Sequence, residues 1–90
     1  MITQRIERIE SILTADFTPE LLEVDDESHL HEGHAGAKSG KGHFRVTLVS
    51  ERFEGMSRLQ RHQAVYRSLA ELMETDIHAL SISALAPSEI

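Results

Sequence analysis

Six histidines stand in a chain of 90 residues, and three of them fall together as His29-x-His31-x-x-His34. Imidazole is largely neutral near pH 7 and ligates borderline metals. On a backbone interrupted by Gly33, Gly36, Gly40 and Gly42, side chains at this spacing can converge on one ion. Asp25, Asp26, Glu27 and Glu32 could add oxygen ligands. The spacing alone also suits a solvated polar loop, which is the commoner use of such a stretch. The other three histidines are scattered. His78 heads an alternating apolar run and shares parity with Leu80 and Ile82, where a lone histidine is more often a half-buried, hydrogen-bonded residue than a ligand. His62 sits on an apolar helical stripe and reads as a core or hairpin-facing residue. His43 opens a strand and carries no distinguishing signal.

Other chemistries find no support in the residues. The glycines between 33 and 42 do not make a phosphate loop: Lys38 follows Ala37, Lys41 precedes Gly42, and a strand follows where a helix should open. There is no cysteine, and no serine lies in an elbow motif, so no activated nucleophile can be assembled by pattern. The chain reads as non-enzymatic, without a small-molecule substrate.

Charge is segregated. Lys38, Lys41, Arg45, Arg52, Arg58, Arg61 and Arg67 are seven of the nine bases, and only Glu51 and Glu54 oppose them in that stretch. The remainder holds Arg5, Arg8 and thirteen acids, so the net charge of −6 conceals a basic middle. Such a stretch is either a well-solvated surface or a face for an anionic partner. In the second case Arg58 and Arg61, i and i+3 near a helix start, are the candidate phosphate contacts, with Arg52 and Lys41 beside them. The only aromatics are Phe17, Phe44, Phe53 and Tyr66; most look like core, which argues against a platform for stacking bases.

These residues must be positioned by a small set of elements. Ile2, Ile6, Ile9 and Leu13 repeat at i, i+4, i+7 and i+11, one face of a helix that must end before Pro19. Leu22 and Val24 alternate with Glu23 and Asp25 as a half-buried strand. Residues 26–42 are a polar loop, long for a small domain and therefore a functional candidate. In the strand 43–50, Phe44, Val46 and Leu48 oppose Arg45, Thr47 and Val49. Ser57-Arg58-Leu59-Gln60 is a capping box that opens a helix running to about Met73. Its inner stripe is predicted as Leu59, His62, Tyr66, Leu69 and Met73, with Val65 and Leu72 beside it. A last strand, 77 to about 85, ends at Pro87.

The order α-β-β-α-β predicts one α+β domain over 1–90. The first two strands can pair antiparallel, the helical crossover permits parallel pairing of the last two, and helices should cover one face. No apolar run reaches the ~18 residues of a membrane span. The N-terminus carries acids and lacks the pattern of a leader. The expectation is a cytoplasmic protein with no membrane partner.

Three stretches together resemble the BolA family. They are Val24-Asp25-Asp26-Glu27-Ser28-His29 with Gly33-His34-Ala35-Gly36; His43-Phe44-Arg45-Val46 onward to Phe53-x-Gly55 and Arg61-His62; and Ile77-His78-Ala79-Leu80-Ser81-Ile82. The resemblance implies a type II KH-like fold: three strands in a mixed sheet with helices on one face, and a short extra turn before the long helix. It implies a monothiol glutaredoxin as partner and a [2Fe–2S] cluster shared with that protein and glutathione, with no cofactor in the isolated chain. His78 is the implied ligand from the last strand. The loop ligand is His34 if counted back from His43, or His31 if counted forward from Ser28. Phe53, Gly55, Arg61 and His62 carry the family signature. The family is also described as DNA-binding and transcription-regulating in stress responses. This sequence has no G-x-x-G clamp at the corresponding turn, where Phe53-Glu54-Gly55-Met56 stands instead.

Overall fold

A computed structural model describes residues 2–27 and 42–90. His29, His31, His34, Lys38 and Lys41 therefore lie outside the described residues. The first helix, α1 (Ile2–Phe17), buries Ile9, Leu13 and Phe17 on its inner face. Thr18 then takes a left-handed φ of 40°, and Pro19 follows, so the helix stops where a missing N–H forbids its continuation.

Strand β1 (Leu21–Asp26) pairs antiparallel with β2 (Gly42–Val49), and β2 pairs parallel with β3 (Ile77–Leu85). β2 is the central strand, as expected for a hairpin followed by a crossover. Phe44, Val46 and Leu48 of β2, with Leu80 and Ala84 of β3, form one core with the helical residues Ile9, Leu13, Val65, Leu69 and Leu72. The alternation of β2 thus reads out directly as an inner face covered by helices. Ser50, fully buried, ties the layers together. Its hydroxyl donates to the Phe17 carbonyl at 2.6 Å and accepts from the Arg52 N–H, while its own N–H bonds the Leu85 carbonyl.

A short 3₁₀ turn (Glu51–Phe53) precedes α2 (Arg58–Ser68), matching the extra turn implied by the family resemblance. The capping box is formed as the sequence predicts: the Gln60 N–H donates to Ser57 Oγ and the Ser57 N–H to Gln60 Oε1. Two expectations about the long helix need correction. It is broken at Leu69, whose N–H is shared between the Val65 and Arg67 carbonyls, and a separate α3 (Ala70–Thr75) follows. Its buried row is Val65, Leu69 and Leu72, whereas Leu59 and Tyr66 are 66% and 41% exposed. Two apolar rows lie side by side on this helix, and packing on the sheet selects the row through Val65. Tyr66 is oriented instead by its hydroxyl, which donates to the Leu80 carbonyl at 3.1 Å.

Candidate metal-ligand site

The register between β2 and β3 is not continuous. Gly42 aligns with Ile77, but His43 aligns with Ala79, so His78 is an extra residue with no counterpart in β2. A bulge of this kind re-aims a side chain. It lets both Ile77 (1% exposed) and Leu80 (9%) face the core, while His78 between them is exposed. The parity shared by His78, Leu80 and Ile82 in the sequence is therefore broken by the bulge, and His78 does not follow its neighbours inward.

The bulge sets His78 against His43. Their ring centroids are 5.2 Å apart with the planes inclined at 55°. His43 is itself buried. That separation is the ordinary contact distance of two packed rings, with both ring nitrogens of His43 buried and His78 the member of the pair that reaches the surface. Sequence reasoning missed His43. The available signal was that His43 and His78 each stand next to the first residue of neighbouring strands, and parallel pairing aligns strand starts.

Glu27 and Gly42, the described residues on either side of 28–41, both stand at this end of the sheet. The Glu27 N–H donates to the His43 carbonyl at 2.8 Å, and the Gly42 N–H to the Asp76 carbonyl at 2.9 Å. Glu27 is also held by Arg45, whose Nε lies 3.1 Å from Oε2. Among the described residues no three His, Asp or Glu side chains converge on one point. Asp76, just before the bulge, is 6% exposed and accepts from Thr75 Oγ1 at 2.6 Å and Arg8 Nη1 at 2.9 Å. The Thr75 hydrogen bond, and then the Arg8 and Arg5 guanidiniums, hold its carboxyl below the usual range against the opposing effect of burial.

The predicted basic contacts separate into two kinds. Arg52 and Arg58 are exposed. Arg61 is instead an internal brace: Nε donates to the Met56 carbonyl at 3.0 Å, Nη1 to the Ala84 carbonyl at 3.1 Å, and Nη1 also pairs with Glu89, leaving the side chain 11% exposed. A guanidinium committed in this way does not fit the expectation of a phosphate contact. Arg58, Arg61 and half-buried His62 line one side of a cleft of about 360 Å³ whose other side is the end of β3. The rest of the signature is structural: Phe53 is fully buried against Phe17, centroids 5.1 Å apart, and Gly55 has φ +78°. No described helix is long and apolar enough to cross a membrane.

The profile of the BolA-like protein family matches residues 13–89. The chain is 50% identical over 76 residues to the "DNA-binding transcriptional regulator BolA" of Escherichia coli, covering 84% of this chain and 70% of the relative. It is 42% identical over 91 residues to "Protein BOLA1, chloroplastic" of Arabidopsis thaliana, covering 98% of this chain but only 57% of the relative's length. Among solved structures, BolA1 from Arabidopsis thaliana superposes with a TM-score of 0.83 at 37% identity, covering 96% of this chain and 95% of that one. The BolA domain of SufE1 from the same plant gives 0.83 at 38%, with 93% of each chain covered.

Proposed function

Because this chain belongs to the BolA family, we propose that it is a non-enzymatic partner of a monothiol glutaredoxin, acting in the cytoplasm in iron–sulfur delivery or iron sensing. In this role it completes the coordination of a [2Fe–2S] cluster otherwise held by the glutaredoxin cysteine and glutathione. The observation that carries the reading is the exposed His78, lifted out of β3 by a bulge and set 5.2 Å from His43. An exposed imidazole suits a cluster whose other ligands come from a second protein. His78 is the strand ligand; His43, or His31 or His34 from the adjoining segment, supplies the other nitrogen. When bound in this way, neutral imidazole in place of thiolate raises the potential of the cluster and changes its spectrum.

The test is the visible spectrum of this protein mixed with a monothiol glutaredoxin, glutathione, iron and sulfide. Adding the protein shifts the bands of the all-thiolate glutaredoxin cluster as ligands exchange. His78→Ala abolishes that shift while the fold persists, since an exposed bulge residue contributes little core. Among His43→Ala, His31→Ala and His34→Ala, the largest loss identifies the second ligand. An unchanged spectrum with His78→Ala removes the cluster role from this residue.

A second reading, a DNA-binding transcriptional regulator, is favoured by the name of the E. coli relative, by exposed Arg58 on the cleft and by exposed Arg52 in the preceding 3₁₀ turn. Here Arg58→Ala weakens binding about equally for all sequences and flattens its salt dependence by roughly one unit of slope. No binding at ~50 mM salt, where electrostatic association is strong, would eliminate this reading.

A further inference from the structure

The bulge leaves His78 without a partner residue in β2, so the ladder does not fix its direction. What fixes the start of β3 is the residue before it. Asp76 is held at four points. Its N–H donates to the Leu72 carbonyl at 2.7 Å, closing α3, and its carbonyl accepts from the Gly42 N–H at 2.9 Å, opening the β2–β3 ladder. Its carboxylate accepts from Thr75 Oγ1 at 2.6 Å and from Arg8 Nη1 at 2.9 Å, with Arg5 Nε at 3.8 Å. Arg5 and Arg8 stand at i and i+3 on α1, 68 residues away in sequence from Asp76 in the case of Arg8. The buried Ile9 and Leu13 anchor that helix to the core.

We propose that the Arg8–Asp76 ion pair is the positioning device of the histidine pair: it couples α1 to the first rung of β3 and so sets the direction of His78 relative to His43. Gly42, whose N–H reads the Asp76 carbonyl, is the residue before His43, and Ile77 alone separates Asp76 from His78. Any rotation of the Asp76 peptide therefore moves both imidazoles. An ion pair that merely decorated a surface would contribute little and would couple to nothing. This one has a carboxylate only 9% exposed, with several hydrogen bonds on the same residue, which favours one fixed geometry. Arg5 stands behind it as a second cation, so the clamp weakens rather than vanishes when Arg8 alone is changed.

The inference rests on reading His78 as functional, yet its test does not use the cluster. Arg8→Gln is the principal variant because Arg8 is largely exposed, with 57% of its side chain accessible, and its loss leaves the core intact. Asp76→Asn and the double variant complete a cycle, and Arg8→Lys restores the charge. The readouts are the imidazole proton and carbon resonances of His43 and His78, which report the tilted contact of the two rings, and the exchange rate of the Gly42 amide. Asp76→Asn shifts both imidazoles and speeds Gly42 exchange about tenfold, as local opening of one rung would do, and Arg8→Gln does the same to a smaller extent because Arg5 remains. The double variant is no worse than Asp76→Asn, and Arg8→Lys restores most of the wild-type resonances. Lower melting temperatures with unmoved imidazole resonances would overturn the proposal, since a merely structural ion pair predicts that pattern. If the resonances move but His78→Ala leaves the mixed cluster spectrum unchanged, the clamp stands and the cluster reading fails.

Discussion

Arg61 changes meaning most between sequence and structure. By spacing it belongs to a phosphate-binding pair with Arg58. In the fold its guanidinium joins three segments: the Met56 carbonyl before α2, the Ala84 carbonyl in β3, and Glu89 in the 3₁₀ turn Pro87–Glu89 at the C-terminus. The planar fork of arginine can serve several acceptors at once, which a lysine ammonium does less well. Arg61→Ala takes one donor from each of two carbonyls and leaves the Glu89 carboxylate only the Ala86 N–H, at a cost in stability of about 1–3 kcal/mol. Arg61→Lys recovers only part of this loss, because one point charge cannot reach all three acceptors. Chemical denaturation of the three proteins checks the order; an alanine variant as stable as wild type would show that water replaces the brace without penalty. His43 shows the opposite change, from a residue with no signal to the neighbour of His78.

At the scale of elements, the turn between Phe53 and α2 repays attention because the family signature passes through it. Gly55 adopts φ +78°, and a Cβ there would meet nothing within 4 Å. The glycine is therefore required by backbone conformation alone, not by crowding. Gly55→Ala costs roughly 1 kcal/mol for forcing an L-residue into the left-handed region, which lowers the melting temperature by about 4–8 °C in a domain of this size. Gly55→Asn costs less, since asparagine tolerates that region better. Equal losses for both substitutions would point to packing rather than φ as the constraint. The same element scale accounts for the missed break at Leu69. Propensity and period are continuous across it: Val65, Leu69 and Leu72 keep the i, i+4, i+7 spacing of a single helical face through the break, so no pattern in the sequence marks it.

At the scale of the whole molecule, two long-range carboxylates give the fold a pH dependence of definite sign. Asp76 is held below its ordinary value of 3.8 by the Thr75 hydroxyl, Arg8 and Arg5. Glu89 is held below 4.5 by the Ala86 N–H and then by Arg61. Groups with depressed folded-state values contribute stability that is present above the ordinary values and is lost as pH falls through the folded ones. The contribution of these two carboxylates is therefore fully present above about pH 5 and is lost as pH falls below about 4, and thermal melts across that acid limb should show a shallower fall for Asp76→Asn than for wild type. Parallel curves for the two proteins would remove Asp76 from the acid transition. The structure also reduces the basic middle. Arg45 pairs with Glu27 and Arg61 with Glu89. Among the described residues of that stretch this leaves Arg52, Arg58 and Arg67 as exposed cations for an anionic partner.

The sequence by itself determined what depends on local period and local chemistry. The 3.6-residue repeat of Ile9 and Leu13, the alternation of Phe44, Val46 and Leu48, the Ser57–Gln60 box and the stop at Pro19 each act over a few residues, and all are present. The antiparallel and parallel pairings follow from connection lengths, which a sequence also displays. The family resemblance, carried by residues such as Phe53, Gly55, Arg61 and His78, was likewise legible and agrees with the match over residues 13–89. Tertiary structure alone decided the rest. Which of two adjacent apolar rows on α2 turns inward depends on the shape of the sheet beneath it, and whether Arg61 meets solvent or carbonyls depends on where β3 ends. The meeting of His43 with His78 depends on a one-residue bulge between strands 35 positions apart, held from a helix at the other end of the chain. No periodicity records such a slip, because it arises only when Ile77 and Leu80 both seek the core and His78 is the residue left over.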